Sequence, residues 1–179
     1  GSIRLLYNGI EKNATGLEQM INTGAFNVNY ANPTYVGYMF GNSDGTTIDE
    51  VHANVTSSII KTNIDNWYKI NIANKGYSDY VSSIVGFCGD RTLGSGDGIS
   101  IKKHSYFGAY KRYENNTAQF ICPEPSRDLY TTAESGIGNK ALTYPVGLIT
   151  YDELVFAGMN QRNINKLSWA YSTQHYWTI

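Results

Sequence analysis

A chain of 179 residues suits one domain, or one domain with a large insertion, and is long enough to bury a core. Its net charge of −1 and isoelectric point of about 6.3 exclude an electrostatic grip on nucleic acid or on an anionic membrane. Charged residues make up 16% of the chain, against roughly 25% in soluble domains, so polarity rests on Asn, Ser, Thr, Gly and 15 Tyr. That palette is common on extracellular surfaces; codon drift in an AT-rich genome produces it equally well. No run of 18 apolar residues exists, so no membrane-spanning helix is expected in this segment, and no signal peptide is present.

The elements follow in chain order. Residues 2–9, "SIRLLYNG", alternate weakly and end in Asn8-Gly9, a hairpin-turn dipeptide. Residues 10–34 are loop-like. An aromatic strand is predicted over residues 35–40, followed by a turn of Asn42, Ser43, Asp44 and Gly45. One or two helical pieces are predicted between residues 47 and 73. Thr47 to Glu50 has the form of a capping box, and Ser57 or Ser58 can cap a second start. The apolar stripe there is Ile60, Ile64, Trp67 and Ile70 or Asn71, and Lys75-Gly76 is a stop. "YVSSIVGFC" reads as mixed helix or strand. Residues 89–127 lose periodicity and form a long loop insertion of the kind that carries a binding surface or needs a tether. "DLYTT" reads as a strand. Thr150 to Glu153 is a second capping box, opening a helix of about two turns that ends at Gly158 and buries Leu154, Phe156 and Ala157. The tail "LSWAYSTQHYWTI" alternates well enough for a core strand.

Cys88 and Cys122 bracket most of the aperiodic stretch. An even count in this polar context predicts a disulfide, worth about 3–4 kcal/mol by loop closure; two independent buried thiols are the alternative. Zinc is not expected, because there is no CxxC pair and His52, His104 and His175 are scattered. Asp44-Gly45 and Asp97-Gly98 read as turns, lacking the alternating oxygens of a calcium loop. No G-x-S-x-G elbow and no P-loop is present. Asp152 and Glu153 are adjacent helical positions that do not face each other, so Glu153 reads as a cap rather than half of a carboxylate pair. No cofactor is expected.

"YPVGLITYDELVFAG" at residues 144–158, followed by "YWTI" at 176–179, resembles the C-type-lectin-like fold in its formylglycine-generating-enzyme branch. The whole chain resembles a group of Firmicutes surface proteins through "GSIRLLYNG" at 1–9, "YVGYM" at 35–39, "IKTNIDNWYK" at 60–69, "FCGDR" at 87–91 and "YPVGLITYDE" at 144–153, in that order. The resemblance implies an α+β, C-type-lectin-like domain over residues 1–179, with a short twisted antiparallel sheet, two main helices and long irregular loops. It also implies that these residues are an internal piece of a longer chain, with segments 3–6 and 176–179 lying in one sheet and Trp177 buried against Leu154 and Phe156. The catalytic cysteines of formylglycine-generating enzymes lie beyond the "YW" strand, whereas Cys88 and Cys122 lie before it, so no catalytic residue carries over.

Three functions stay open. The first is a non-enzymatic, extracellular cell-surface protein for adhesion or ligand display. Residues 92–120 would then be the presented surface, with Tyr106, Tyr110, Arg112 and Tyr113 as ligand contacts and a host or environmental surface ligand as partner. The second is a subunit of a pilus-like or other surface filament, whose partners are neighbouring copies of itself. The third is an enzyme of the formylglycine-generating type.

Overall fold

The fold was analysed in a computed structural model that describes residues 3–14, 16–159 and 165–179. The expectations for Gly1 and Ser2 lie outside the described residues. The chain is α+β, mixing short helices with small antiparallel ladders. In place of one short sheet, the described residues form three two-stranded ladders. Strand β1 (Met39–Phe40) pairs with β2 (Thr56–Ser57), β3 (Gly86–Cys88) with β6 (Leu129–Thr131), and β4 (Leu93–Ser95) with β5 (Tyr106–Phe107). Beyond its pairing with β3, β6 accepts at Leu129 and Thr131 from the Asn139 and Leu142 amides.

The two helical pieces expected between 47 and 73 are α1 (Ile48–Val51) and α2 (Ile59–Asn71). Each has a cap from the sequence: Thr47 and Glu50 close a capping box, and the Ser58 hydroxyl accepts from the Lys61 amide. The chain past α2 tightens into a 3-10 turn and stops at Gly76, which takes the left-handed conformation. The buried stripe of α2 is rotated from the expected one. It consists of Lys61, Ile64 and Tyr68, while Trp67 is half-buried edge-on to Tyr7 and Ile70 is exposed. Lys61 can turn inward because Asp65, one turn on, takes its ammonium at 2.6 Å.

The apolar core joins Tyr38, Met39, Ile64, Phe87, Tyr130 and Leu142, with Ile60, Val85, Val146, Leu148 and Ile179 against it. The expected strand over 35–40 contracts to β1, because Asn32 caps a 3-10 turn at Pro33–Tyr35 that uses the preceding residues. The stretch at 89–127 is not one long loop: it holds β4, β5, α3 (Gly108–Asn115) and α4 (Pro125–Asp128). These elements are shorter than the window over which hydrophobic period is legible. Cys88 and Cys122 are disulfide-bonded, with Cα atoms 5.6 Å apart.

Helix α5 (Tyr151–Phe156) has the full capping box: the Thr150 hydroxyl accepts from the Glu153 amide, and the Glu153 carboxylate accepts from the Thr150 amide at 2.8 Å. Its buried side chain is Asp152, not Phe156, which is exposed and edge-on to Phe120. Burial of Asp152 is compensated by the Arg112 guanidinium and the Gln119 amide. Thr150→Ala is expected to cost about 1 kcal/mol in urea unfolding, through loss of the cap; an unchanged midpoint would contradict that role.

The termini depart furthest from expectation. Residues 3–9 form no strand and Asn8-Gly9 no hairpin. Arg4 instead donates to the Gly86 carbonyl and pairs with Glu153, lying over the Phe87 ring. The tail forms no strand among the described residues. Only Ile179 pairs, its amide donating to Ile149 and its carbonyl accepting from Tyr151. Trp177 is half-exposed and meets Phe26 edge-on, donating its indole N–H to Gly24. It does not pack on Leu154 and Phe156, since the face of α5 that turns inward is the one carrying Asp152.

Candidate functional site

The antiparallel register of β3 and β6 sets Cys88 opposite Leu129. The charged pairs flanking these strands, Asp90-Arg91 and Arg127-Asp128, are thereby brought together at the centre of the molecule. Arg91 and Asp128 are both buried and joined at 2.8 Å, with Asp128 also accepting from the Arg91 amide at 3.0 Å and from Arg127. The remaining Arg91 donors reach the Met39 carbonyl at 2.7 Å and Asn54 Oδ1 at 2.9 Å, and Asn54 Oδ1 also accepts from the Tyr130 hydroxyl. Burial opposes ionisation of Asp128, but the Arg127 hydrogen bonds and the Arg91 charge outweigh it and hold its carboxyl below the ordinary range. Burial pushes the Tyr130 hydroxyl up to about 12. This network is a frame: it spans β1, the turn after α1, the end of β3 and α4.

A second charged cluster extends the frame to the surface. Arg112 on α3 donates to Asp90 at 2.5 Å and, with two nitrogens, to Asp152 on α5 at 2.7 and 2.6 Å. Both carboxylates are almost fully buried. The hydrogen bonds Arg112 donates, first to Asp152 and then to Asp90, hold its guanidinium above its ordinary value against the opposing effect of burial. Gly108 opens α3 directly over Asp90, where any Cβ would stand 2.5 Å from a carboxylate oxygen. Only glycine lets the helix begin so close to that charge.

This clamp orients the tyrosines singled out in the sequence. Tyr106 and Tyr110 stack face to face, with centroids 5.0 Å apart and planes 24° apart. They are 41% and 36% exposed, so the pair presents ring surface to solvent. The Lys111 ammonium stands 5.4 Å from the Tyr106 ring centroid and pairs with Glu114 at 3.1 Å. Tyr113 faces the other way and meets Tyr151 of α5 edge-on at 4.8 Å. Of the four candidate contacts, the structure therefore sets Tyr106 and Tyr110 together on the surface. Arg112 has its guanidinium engaged by two carboxylates, and Tyr113 is held in the seam between α3 and α5. Burial pushes the Tyr151 hydroxyl in that seam up to about 12.

Sequence reasoning missed the frame beneath this face. Its signal was present: "GDR" after an apolar strand and "SRD" before another are conspicuous in a chain with few charges. His52 borders the frame, its carbonyl accepting from Arg91 at 3.4 Å. It is fully buried, 5.9 Å from the Phe107 ring, with neither ring nitrogen hydrogen-bonded among the described residues. No group of three or more His, Cys, Asp or Glu among the described residues is placed to hold a metal ion. No helix among them is long and apolar enough to cross a membrane. No family model matches the chain, and neither a curated protein nor a solved structure is similar to it.

Proposed function

We propose that this chain is a non-enzymatic, extracellular surface domain of C-type-lectin-like type that displays a ligand-binding face for adhesion. The observation that carries this reading is the Cys88–Cys122 disulfide, which ties down the segment bearing the exposed Tyr106–Tyr110 stack. A cross-link of this kind persists in oxidising surroundings. Paired tyrosines offer large, rigid, amphipathic contact area at low cost in side-chain entropy. The partner is a host or environmental surface ligand.

A second reading, a subunit of a surface filament, is favoured by a different observation. Phe120, Ile121, Ile137 and Phe156 are all more than two-thirds exposed, and the first three line a cleft of about 420 Å³ beside the disulfide. Such a patch suits burial against a neighbouring copy.

One set of measurements tests both. Protein recovered from its native location should show the Cys88–Cys122 link in non-reducing peptide maps; two alkylatable thiols would remove the extracellular assignment. Binding of the oxidised protein to surface glycoproteins should fall on Tyr106→Ala with Tyr110→Ala, without change in Tm. Light scattering then separates the readings. A monodisperse monomer supports display, and self-association abolished by Phe156→Asp supports the filament.

A further inference from the structure

Asn8-Gly9 is the chain's single Asn-Gly dipeptide, and it lies in no hairpin. Two Asp-Gly pairs, Asp44-Gly45 and Asp97-Gly98, share the capacity to cyclise, because a glycine amide has no side chain beside it to shield the nitrogen. In both of those pairs the glycine amide is engaged. Gly45 donates to the Asn42 carbonyl at 3.0 Å, and Gly98 to the Ser105 hydroxyl at 2.9 Å. The Gly9 amide donates no hydrogen bond among the described residues.

The Asn8 side chain is exposed and is held by its oxygen rather than its nitrogen. Its Oδ1 accepts from Gln19 Nε2 at 2.5 Å. Gln19 is fixed in turn, its Oε1 accepting from the Gly16 amide at 2.9 Å and from the Ser172 hydroxyl at 3.1 Å. A donor on Oδ1 draws electron density from Cγ and opens that carbon to attack. Asn8 Nδ2 donates to nothing among the described residues, so no hydrogen bond retains it. Asn54 and Asn139 have the opposite arrangement. Each donates Nδ2 to the Arg127 carbonyl, at 2.7 and 2.9 Å, and each is followed by a residue whose side chain shields its amide, Val55 or Lys140.

We infer that Asn8 is a site of spontaneous covalent modification, in which the Gly9 nitrogen attacks the Asn8 Cγ polarised by Gln19 and the residue ends as aspartate or isoaspartate. The Gly9 N–H gives up its proton, the N–Cγ bond forms and the Cγ–Nδ2 bond breaks. Nδ2 leaves as ammonia with that proton, and a cyclic imide remains. Solvent water then opens the imide: opening at Cγ gives aspartate, and opening at the main-chain carbonyl gives isoaspartate. Nothing is oxidised or reduced. Either product adds one negative charge to a chain of net charge −1, and isoaspartate also adds one carbon to the backbone between Tyr7 and Gly9. The inference goes beyond the display reading and uses neither the tyrosine pair nor the disulfide.

The test stores the folded, oxidised protein in neutral buffer and follows tryptic peptide maps over time. Cleavage after Arg4 and Lys12 isolates residues 5–12. That peptide should gain the mass difference between an amide and an acid and split into two products, while an acidic form of the protein accumulates on ion exchange. Asp44, Asp97, Asn54 and Asn139 should stay unmodified while the protein is folded. Conversion should be faster in alkaline than in acidic buffer, because the Gly9 amide must give up its proton. Gln19→Glu keeps the acceptor for Gly16 and Ser172, removes the donor to Asn8 and should slow conversion several-fold. Asn8→Gln, whose longer side chain cyclises far less readily, should abolish it. Gly9→Ala is unsuitable, since its Cβ would stand 2.5 Å from Ala14 Cβ. An unchanged Asn8 peptide, a rate independent of pH, or isoaspartate forming at Asp44 or Asp97 as fast as at Asn8 would each overturn the site. An unchanged rate in Gln19→Glu would overturn the part assigned to Gln19.

Discussion

Replacing Asp128 with Ala is expected to destabilise the fold by about 3–5 kcal/mol, the loss that follows when one partner of a buried ion pair is removed. Asp128 compensates the buried Arg91 guanidinium through Nε, accepts from the Arg91 amide and takes two further hydrogen bonds from Arg127. Without it, Arg91 keeps its charge in a place water does not reach. The Met39 carbonyl and Asn54, which also depend on Arg91, lose their orientation as well. Equilibrium unfolding in urea measures the loss. A double variant, Arg91→Leu with Asp128→Leu, should lose less than the sum of the two single changes, because it leaves no buried charge behind. Additive losses would show that the two residues act separately and that the network is not the frame described here.

Stability is expected to begin falling with acid near pH 6.5, before ordinary carboxylates titrate, and His52 is the reason. Burial, the largest effect, and the nearby Arg91 and Arg127 charges push its imidazole down to about 4; only Asp128 opposes them. In the unfolded chain the same imidazole titrates near 6.5. The unfolded state therefore takes up a proton first as the pH falls. The contribution of neutral His52 is fully present above pH 6.5 and is lost progressively down to about 4. At about 1.4 kcal/mol per pH unit, the loss over that window is about 3 kcal/mol. Asp128 adds to it at lower pH: its folded value is depressed, so its stabilisation disappears as the pH falls through that value. His52→Phe keeps a ring beside Phe107 and removes the titration. The variant should show a flatter dependence of stability on pH between 6.5 and 4, whatever its stability at neutral pH. An unchanged slope would place the acid sensitivity elsewhere.

Local chemistry made several elements legible from residues alone. Thr47-Glu50, Ser58 and Thr150-Glu153 fix helix starts because each cap is complete within four residues and needs nothing from the rest of the chain. The disulfide was legible from an even cysteine count around an aperiodic stretch. The Tyr106 and Tyr110 candidates fell on one surface because β5 passes directly into α3 at Gly108, which sets the Tyr106 ring against Tyr110 in the first turn of the helix.

What tertiary structure alone decided was which polar groups turn inward. Lys61, Arg91, Asp128 and Asp152 are all buried, and a sequence pattern assigns such residues to the surface. Their burial depends on partners that are mostly distant in the chain: Asp128 lies 37 residues from Arg91, and Asp152 lies 40 from Arg112. The same pairing displaced apolar residues outward, leaving Ile70 and Phe156 with solvent where the helical pattern placed them in the core. The sequence by itself determined the caps, the helix starts and the cross-link, since each is satisfied by near neighbours or by covalent chemistry. The charged frame beneath the tyrosine face was decided only when long-range ion pairs compensated the burial of charge.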